Sequence, residues 1–132
     1  FIGAAPDPDA PVDPGLVKFF GTPGPPQIEE GVLRGSAGSR GRAEGIARVV
    51  QTVDELHRLQ PGEILVCRST TPPWTPAFAS IAALVTDTGG VLAHGAIVAR
   101  EYAIPAVMGT KVGTRMIRDG QRITVDGDAY LM

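Results

Sequence analysis

The stretch Thr86-Asp87-Thr88-Gly89-Gly90-Val91-Leu92-Ala93-His94-Gly95-Ala96-Ile97-Val98-Ala99-Arg100-Glu101 decides how this chain is read. Before it, Ala82-Ala83-Leu84-Val85 is an apolar run of strand length; after the glycine pair, good helix formers continue to Tyr102 and are stopped by Pro105. The pattern predicts strand, glycine loop and helix, with His94 where the loop enters the helix. The first N–H groups of a helix lack intrahelical acceptors, and the aligned peptide dipoles place about half a positive charge there. Such a terminus favours a neutral, nucleophilic imidazole over a cationic one. The same N–H groups suit a phosphate, which Gly89 and Gly90 allow to approach the backbone without a Cβ in the way. A histidine that accepts and releases a phosphoryl group needs both properties. An ordinary helix-start histidine making one hydrogen bond fits the same spacing, and Ala93 is a poor N-cap where Ser, Thr or Asp is expected.

The run Gly89-Gly90-Val91-Leu92-Ala93-His94-Gly95-Ala96-Ile97-Val98-Ala99-Arg100-Glu101-Tyr102-Ala103-Ile104-Pro105-Ala106-Val107-Met108-Gly109 resembles the phosphohistidine motif of the phosphoenolpyruvate-utilising enzymes. That family includes phosphoenolpyruvate synthase, pyruvate phosphate dikinase, enzyme I of the sugar phosphotransferase system and the rifampicin phosphotransferases. The resemblance extends from Gly31 to Met132. It implies an α/β fold, the three-layer swivelling β/β/α domain, with His94 as the phosphoryl acceptor through the ring nitrogen remote from the backbone. Gly89, Gly90, Gly95, Thr88, Thr70, Thr71 and Arg100 are the candidate phosphate-supporting residues. The donor implied is ATP or phosphoenolpyruvate, with ATP and Mg held by neighbouring nucleotide-binding and acceptor domains, so that this domain needs no cofactor of its own. Two positions depart from the family pattern. Ala93 stands where Ser, Thr or Cys is usual, and Ala103 where Gly is usual; a left-handed residue there costs an alanine about 1 kcal/mol.

A second informative stretch is Arg68-Ser69-Thr70-Thr71-Pro72-Pro73-Trp74-Thr75-Pro76-Ala77-Phe78. Thr70 and Thr71 follow the predicted strand Glu63–Cys67, and the carboxyl ends of strands in open α/β sheets converge on one site. Their hydroxyls are thus candidates for positioning His94 or its phosphate, with plain turn chemistry as the alternative. Thr75-Pro76 reads as an N-cap followed by proline at the first helical position, opening a short helix through Ser80. Trp74 is either a core residue or an anchor for a partner domain. Counting from His94, Ile97, Val98 and Glu101 share its side of the helix and Arg100 is offset, which also suits Arg100 to a structural ion pair. Thr52-Val53-Asp54-Glu55 has the form of a capping box opening a helix through Leu59, with His57 on its polar side.

The chain has 132 residues, 43% of them hydrophobic, the size of one domain with one core. A net charge of -2, with the twelve basic residues scattered, provides no field for nucleic acid or an anionic membrane. Cys67 is single and lies in an apolar strand, and two histidines cannot build a histidine-rich metal site, so no metal is expected here. The glycine-rich Gly31–Gly45 lacks the Gly-Lys-Ser/Thr of a P-loop, and Gly-x-Ser-x-Gly is absent, which argues against a nucleotide site and a hydrolase. No apolar run reaches a membrane span and no segment resembles a signal peptide; the cytoplasm is the expected location. Residues 1–30 carry seven prolines and read as a linker or docking segment, with residues 31–132 as the phosphohistidine domain. The linker is expected to be the hinge on which the domain travels, and the start at Phe1 suggests a piece of a longer protein. Ile46–Val50, Ala106–Met108 and Gln121–Asp126 are predicted strands, the last in a terminal hairpin. The function expected is a phosphoryl carrier within a multidomain phosphotransferase. The rival reading is a non-catalytic swivelling or interaction module that has kept the fold.

Overall fold

A computed structural model describes residues 14–20 and 30–128. Its elements in chain order are β1 (Pro14–Phe20), β2 (Glu30–Ser39), β3 (Arg42–Val49), a 3-10 helix (Val53–Arg58), β4 (Ile64–Cys67), a second 3-10 helix (Pro72–Ala79), β5 (Ala83–Thr86), α1 (His94–Glu101), β6 (Ala106–Met108), α2 (Gly113–Met116) and β7 (Arg122–Asp126). The seven strands close into a barrel in the order β1-β2-β6-β5-β4-β3-β7. β3, β4, β5 and β6 run parallel to one another, whereas β7, β1 and β2 complete the circle by antiparallel pairing.

Parallel strands joined by helical crossovers are buried on both faces, and β4, β5 and β6 are accordingly buried at every position and apolar at all but Thr86. Alternate residues divide between two cores. Ile64, Val66, Ala83, Val85 and Val107 point into the barrel, where they meet Val17, Leu33, Ile123 and Val125 from the antiparallel wall. Leu65, Cys67, Leu84, Ala106 and Met108 point outward, against Trp74, Phe78, Ala96, Val98 and Ala99 of the helices. Each fully buried large side chain contributes about 1.5–3 kcal/mol, so the two cores hold wall to wall and helices to wall. The result is the expected α/β class in three layers, two of strand and one of helix. Its crossover helices all lie on the outer face of the parallel strands, which brings α1 and the Pro72–Ala79 helix side by side.

Several expectations are corrected. Residues 14–20, assigned to a linker ending at residue 30, form β1, with Pro14–Phe20 opposite Ser36–Glu30 and Leu16–Phe19 opposite Asp126–Ile123. Prolines flank this strand or occupy its first position, where a missing N–H is tolerated, and the apolar Leu16–Phe20 run supplies the strand. The terminal hairpin is replaced by pairing of β7 with β1 and β3, distant in sequence. The Thr52 box opens a 3-10 helix with no hydrogen bond from the Thr52 side chain; Glu55 instead accepts from the Gln51 backbone N–H at 2.9 Å. His57 is exposed, as expected.

One polar cluster fastens β3 to its neighbours. Arg48 makes a two-pronged contact with Glu63, at 3.0 and 2.6 Å, and reaches Asp119 at 3.1 Å. Asp119 also accepts from Arg58 at 2.6 Å and from the Val49 backbone N–H at 2.7 Å. The hydrogen bond from Arg48 holds the Glu63 carboxyl below its usual value. Burial opposes ionisation of Asp119, but the Val49 N–H and the two guanidiniums together hold it below its usual value too.

Candidate functional site

The site forms where β4 and β5 end. Beyond the strands the parallel ladder continues into the loops: the Asp87 N–H donates to Cys67 O at 3.1 Å and the Thr88 N–H to Arg68 O at 3.0 Å. Hydroxyls then fix the loop, Thr86 Oγ1 donating to Thr88 O at 2.7 Å and Thr88 Oγ1 to Arg68 O at 3.1 Å. Gly89 takes φ +97°, a conformation a side chain resists. The chain crosses Gly90 and enters α1 at His94, with Ala93 as an extended N-cap that makes no side-chain cap. The first-turn amides thus receive no acceptor from Ala93, and the helix start keeps its positive end open to an anion.

His94 is half-buried and held from three directions. Thr70 Oγ1 lies 2.8 Å from Nδ1, Thr75 Oγ1 lies 3.5 Å from Nε2, and Phe78 meets the ring edge to face with centroids 6.4 Å apart. Thr70 is itself buried beneath the helix. In the tautomer with its proton on Nδ1, that nitrogen donates to Thr70 and Nε2 keeps its lone pair, the arrangement a nucleophilic imidazole requires. Gly95 explains how Thr70 comes so close. A Cβ at position 95 would stand 2.9 Å from Thr70 Oγ1 and 3.0 Å from Leu84 Cδ2, so only a glycine lets this turn of α1 settle onto the strand ends.

The remaining candidates separate clearly. Gly90 has open space around it, and a Cβ there would meet nothing within 4 Å. Thr88 spends its hydroxyl on the loop. Thr71 is exposed, and its carbonyl accepts from the Trp74 N–H at 2.8 Å, which is turn chemistry. Arg100 lies in the last turn of α1, away from His94, and donates to Gly38 O at 2.6 Å. That carbonyl is freed by the register shift between β2 and β6 at Ala37 and Ser39, so Arg100 ties helix to bulge, and among the described residues it forms no ion pair. Trp74 is a core residue. Cys67 is buried, with its thiol pushed up to about 12 by burial and the Asp87 charge, and plays no nucleophilic part. No cluster of three or more metal-ligating side chains occurs among the described residues.

Sequence reasoning missed Thr75 and Phe78 as neighbours of His94. Thr75-Pro76 resembles a helix start, yet the helix begins at Pro72 with Thr71 as N-cap and carries Pro76 inside it. A tight 3-10 turn accepts this proline. The signal that was available is the pair Pro72-Pro73, equally suited to a first turn.

The description "PEP-utilising enzyme, mobile domain" covers residues 59–130 of this chain. The chain is 51% identical over 111 residues to chondramide synthase of Chondromyces crocatus, covering 84% of this chain and 3% of that protein. It is 53% identical over 100 residues to a rifampicin phosphotransferase of a Streptomyces species, covering 76% and 11%. With phosphoenolpyruvate synthase of Aeropyrum pernix it shares 44% over 109 residues, covering 78% and 13%. The chain thus spans a small part of the length of these relatives, 3%, 11% and 13%. From the match over more than half its length, with His94 seated at the head of α1 behind the glycine loop, the chain belongs to the mobile-domain family of the phosphoenolpyruvate-utilising enzymes.

Proposed function

We propose that this chain is the phosphoryl carrier of a multidomain phosphotransferase, with Nε2 of His94 as the atom that bears the phosphoryl group. The observation that carries the reading is the 2.8 Å contact of Nδ1 with a buried threonine hydroxyl at a helix N-terminus. It turns the ring so that the other nitrogen is presented for in-line attack, and the open first turn of α1 offers N–H groups to the incoming oxygens. Nε2 forms a bond to phosphorus, the bond from phosphorus to its leaving group breaks, and the electron pair departs with that group. Reversal on a second partner discharges the carrier. ATP and Mg are assigned to a nucleotide domain, and the acceptor, whether pyruvate or a small molecule such as an antibiotic, to another; the domain itself holds neither. A carrier charged from ATP works in the cytoplasm, and among the described residues no helix is long and apolar enough to cross a membrane.

The test is to incubate the chain with the nucleotide-binding domain of its parent enzyme and labelled ATP-Mg. Label that is acid-labile and base-stable is expected on the chain, and none on His94→Ala. Label persisting in that variant would assign the phosphoryl group elsewhere.

A further inference from the structure

The carrier reading uses Thr70 and leaves unexplained a second hydroxyl beside the same ring. Thr75 Oγ1 stands 3.5 Å from Nε2, beyond an ordinary hydrogen bond, while Thr70 holds Nδ1 at 2.8 Å. Among the described residues Thr75 is the one side chain within reach of Nε2. Its place is fixed, because Trp74 before it and Phe78 after it are both pinned in the outer core, 7% and 1% exposed. The Phe78 ring stands edge to face with the imidazole and limits its rotation on that side.

We propose that Thr75 is a ligand of the transferred phosphoryl group, its hydroxyl donating to a phosphoryl oxygen as the group arrives on Nε2 and while it remains there. The inference rests on His94 being the phosphoryl acceptor. A phosphorus bonded to Nε2 stands to one side of the line from nitrogen to hydroxyl and brings anionic oxygens beside Oγ1. Hydrogen bonds to a charged acceptor are stronger than those to a neutral one, so the hydroxyl gains as the group is transferred. The Nδ1 proton stays with the ring, donated to Thr70, and the Thr75 proton stays on Thr75. A neutral donor suits a carrier better than a cation would. The phosphoryl group must be released on the second partner as readily as it was accepted on the first, and binding that deepens the intermediate alone slows its discharge.

The experiment uses the 132-residue chain and phosphoramidate, a small phosphoryl donor that needs no partner domain, with formation of phosphohistidine followed by 31P NMR. Wild type is expected to label on His94. Thr75→Val keeps the shape and loses the donor, and its rate should fall about tenfold, the size of one lost hydrogen bond to a charged group. Thr75→Ser restores the donor and should restore the rate. The 15N signals of the imidazole should keep the Nδ1–H tautomer in both variants, because Thr70 sets it. A wild type that takes no label on His94 would overturn the carrier reading and this inference together. A labelled wild type with Thr75→Val reacting at the same rate would overturn the role of Thr75 alone. So would a loss in Thr75→Val that Thr75→Ser fails to restore, or a changed tautomer, since either assigns the effect to packing.

Discussion

At the scale of single residues, the chain tolerates two backbone conformations that side chains oppose, at Ala103 and Lys111, and the first of them ends α1. Ala103 follows α1 with φ +58°, and the hydrogen bonds of that turn are those of a helix ended by a left-handed residue: the Ile104 N–H donates to Ala99 O at 3.0 Å and the Ala103 N–H to Arg100 O at 3.2 Å. An L side chain in this region costs about 1 kcal/mol or more, and glycine removes that cost while adding some freedom to the unfolded chain. Ala103→Gly should therefore raise stability by about 0.5–1 kcal/mol, read as a higher denaturant midpoint at unchanged slope. A lower midpoint would mean that the unfolded chain's gain in freedom outweighs the relieved strain. This position was legible through the resemblance, whose pattern has Gly where this chain has Ala103. His94 and Thr70 were legible from local pattern, His94 where a glycine loop enters a helix and Thr70 just past a strand end. Thr75 was not, because before Pro76 it reads as a helix cap, and only the packing of two helices brings it to His94.

At the scale of elements, pattern reading found strands and helices but not their partners. The runs of β4, β5 and β6 announce burial on both faces, and their order in the sheet follows from short crossovers. Nothing local in Arg122–Asp126 announces that it pairs with both β1 and β3, for its alternation fits any half-buried strand. What secures this join is the cluster in which Arg48 of β3 meets Glu63 before β4 and Asp119 before β7. Both carboxyls titrate below their usual values in the folded chain. A carboxyl lowered by folding stabilises fully above its unfolded value and loses that contribution as pH falls through its native one. Stability should thus be level above the ordinary values of 4.5 for Glu63 and 3.8 for Asp119 and should decline below them. In Glu63→Gln the decline should be shallower, with a lower plateau at neutral pH because Arg48 keeps only Asp119. Thermal melts across the acid range decide this; an equally steep decline in the variant would remove Glu63 from the account.

At the scale of the whole molecule, the barrel depends on the segment that its prolines made look dispensable. Pro14–Phe20 is β1, and it alone joins β2 to β7, so without it the sheet has two unpaired edges. It also delivers Val17, fully buried, into the inner core beside Leu33 and Val125. The hinge expected over Pro6–Pro26 is thereby divided. Its central part moves with the barrel, and the rest lies outside the described residues. On the carrier reading proposed above this rigidity matters, because His94 keeps its contacts with Thr70 and Thr75 only if the strand ends beneath them hold still. Deleting Pro14–Phe20 should lower the melting temperature sharply and promote association through the exposed edges of β2 and β7. Val17→Ala, which keeps the strand, should cost roughly 1–3 kcal/mol and leave the chain monomeric. If the deletion left the melting temperature unchanged, the barrel would be closed by other means and the segment would return to the role of a tether. With the predicted loss, the hinge that the proposed carrier requires has to be sought beyond β1, and the phosphorylation proposed for His94 should fall in the deleted chain along with its fold.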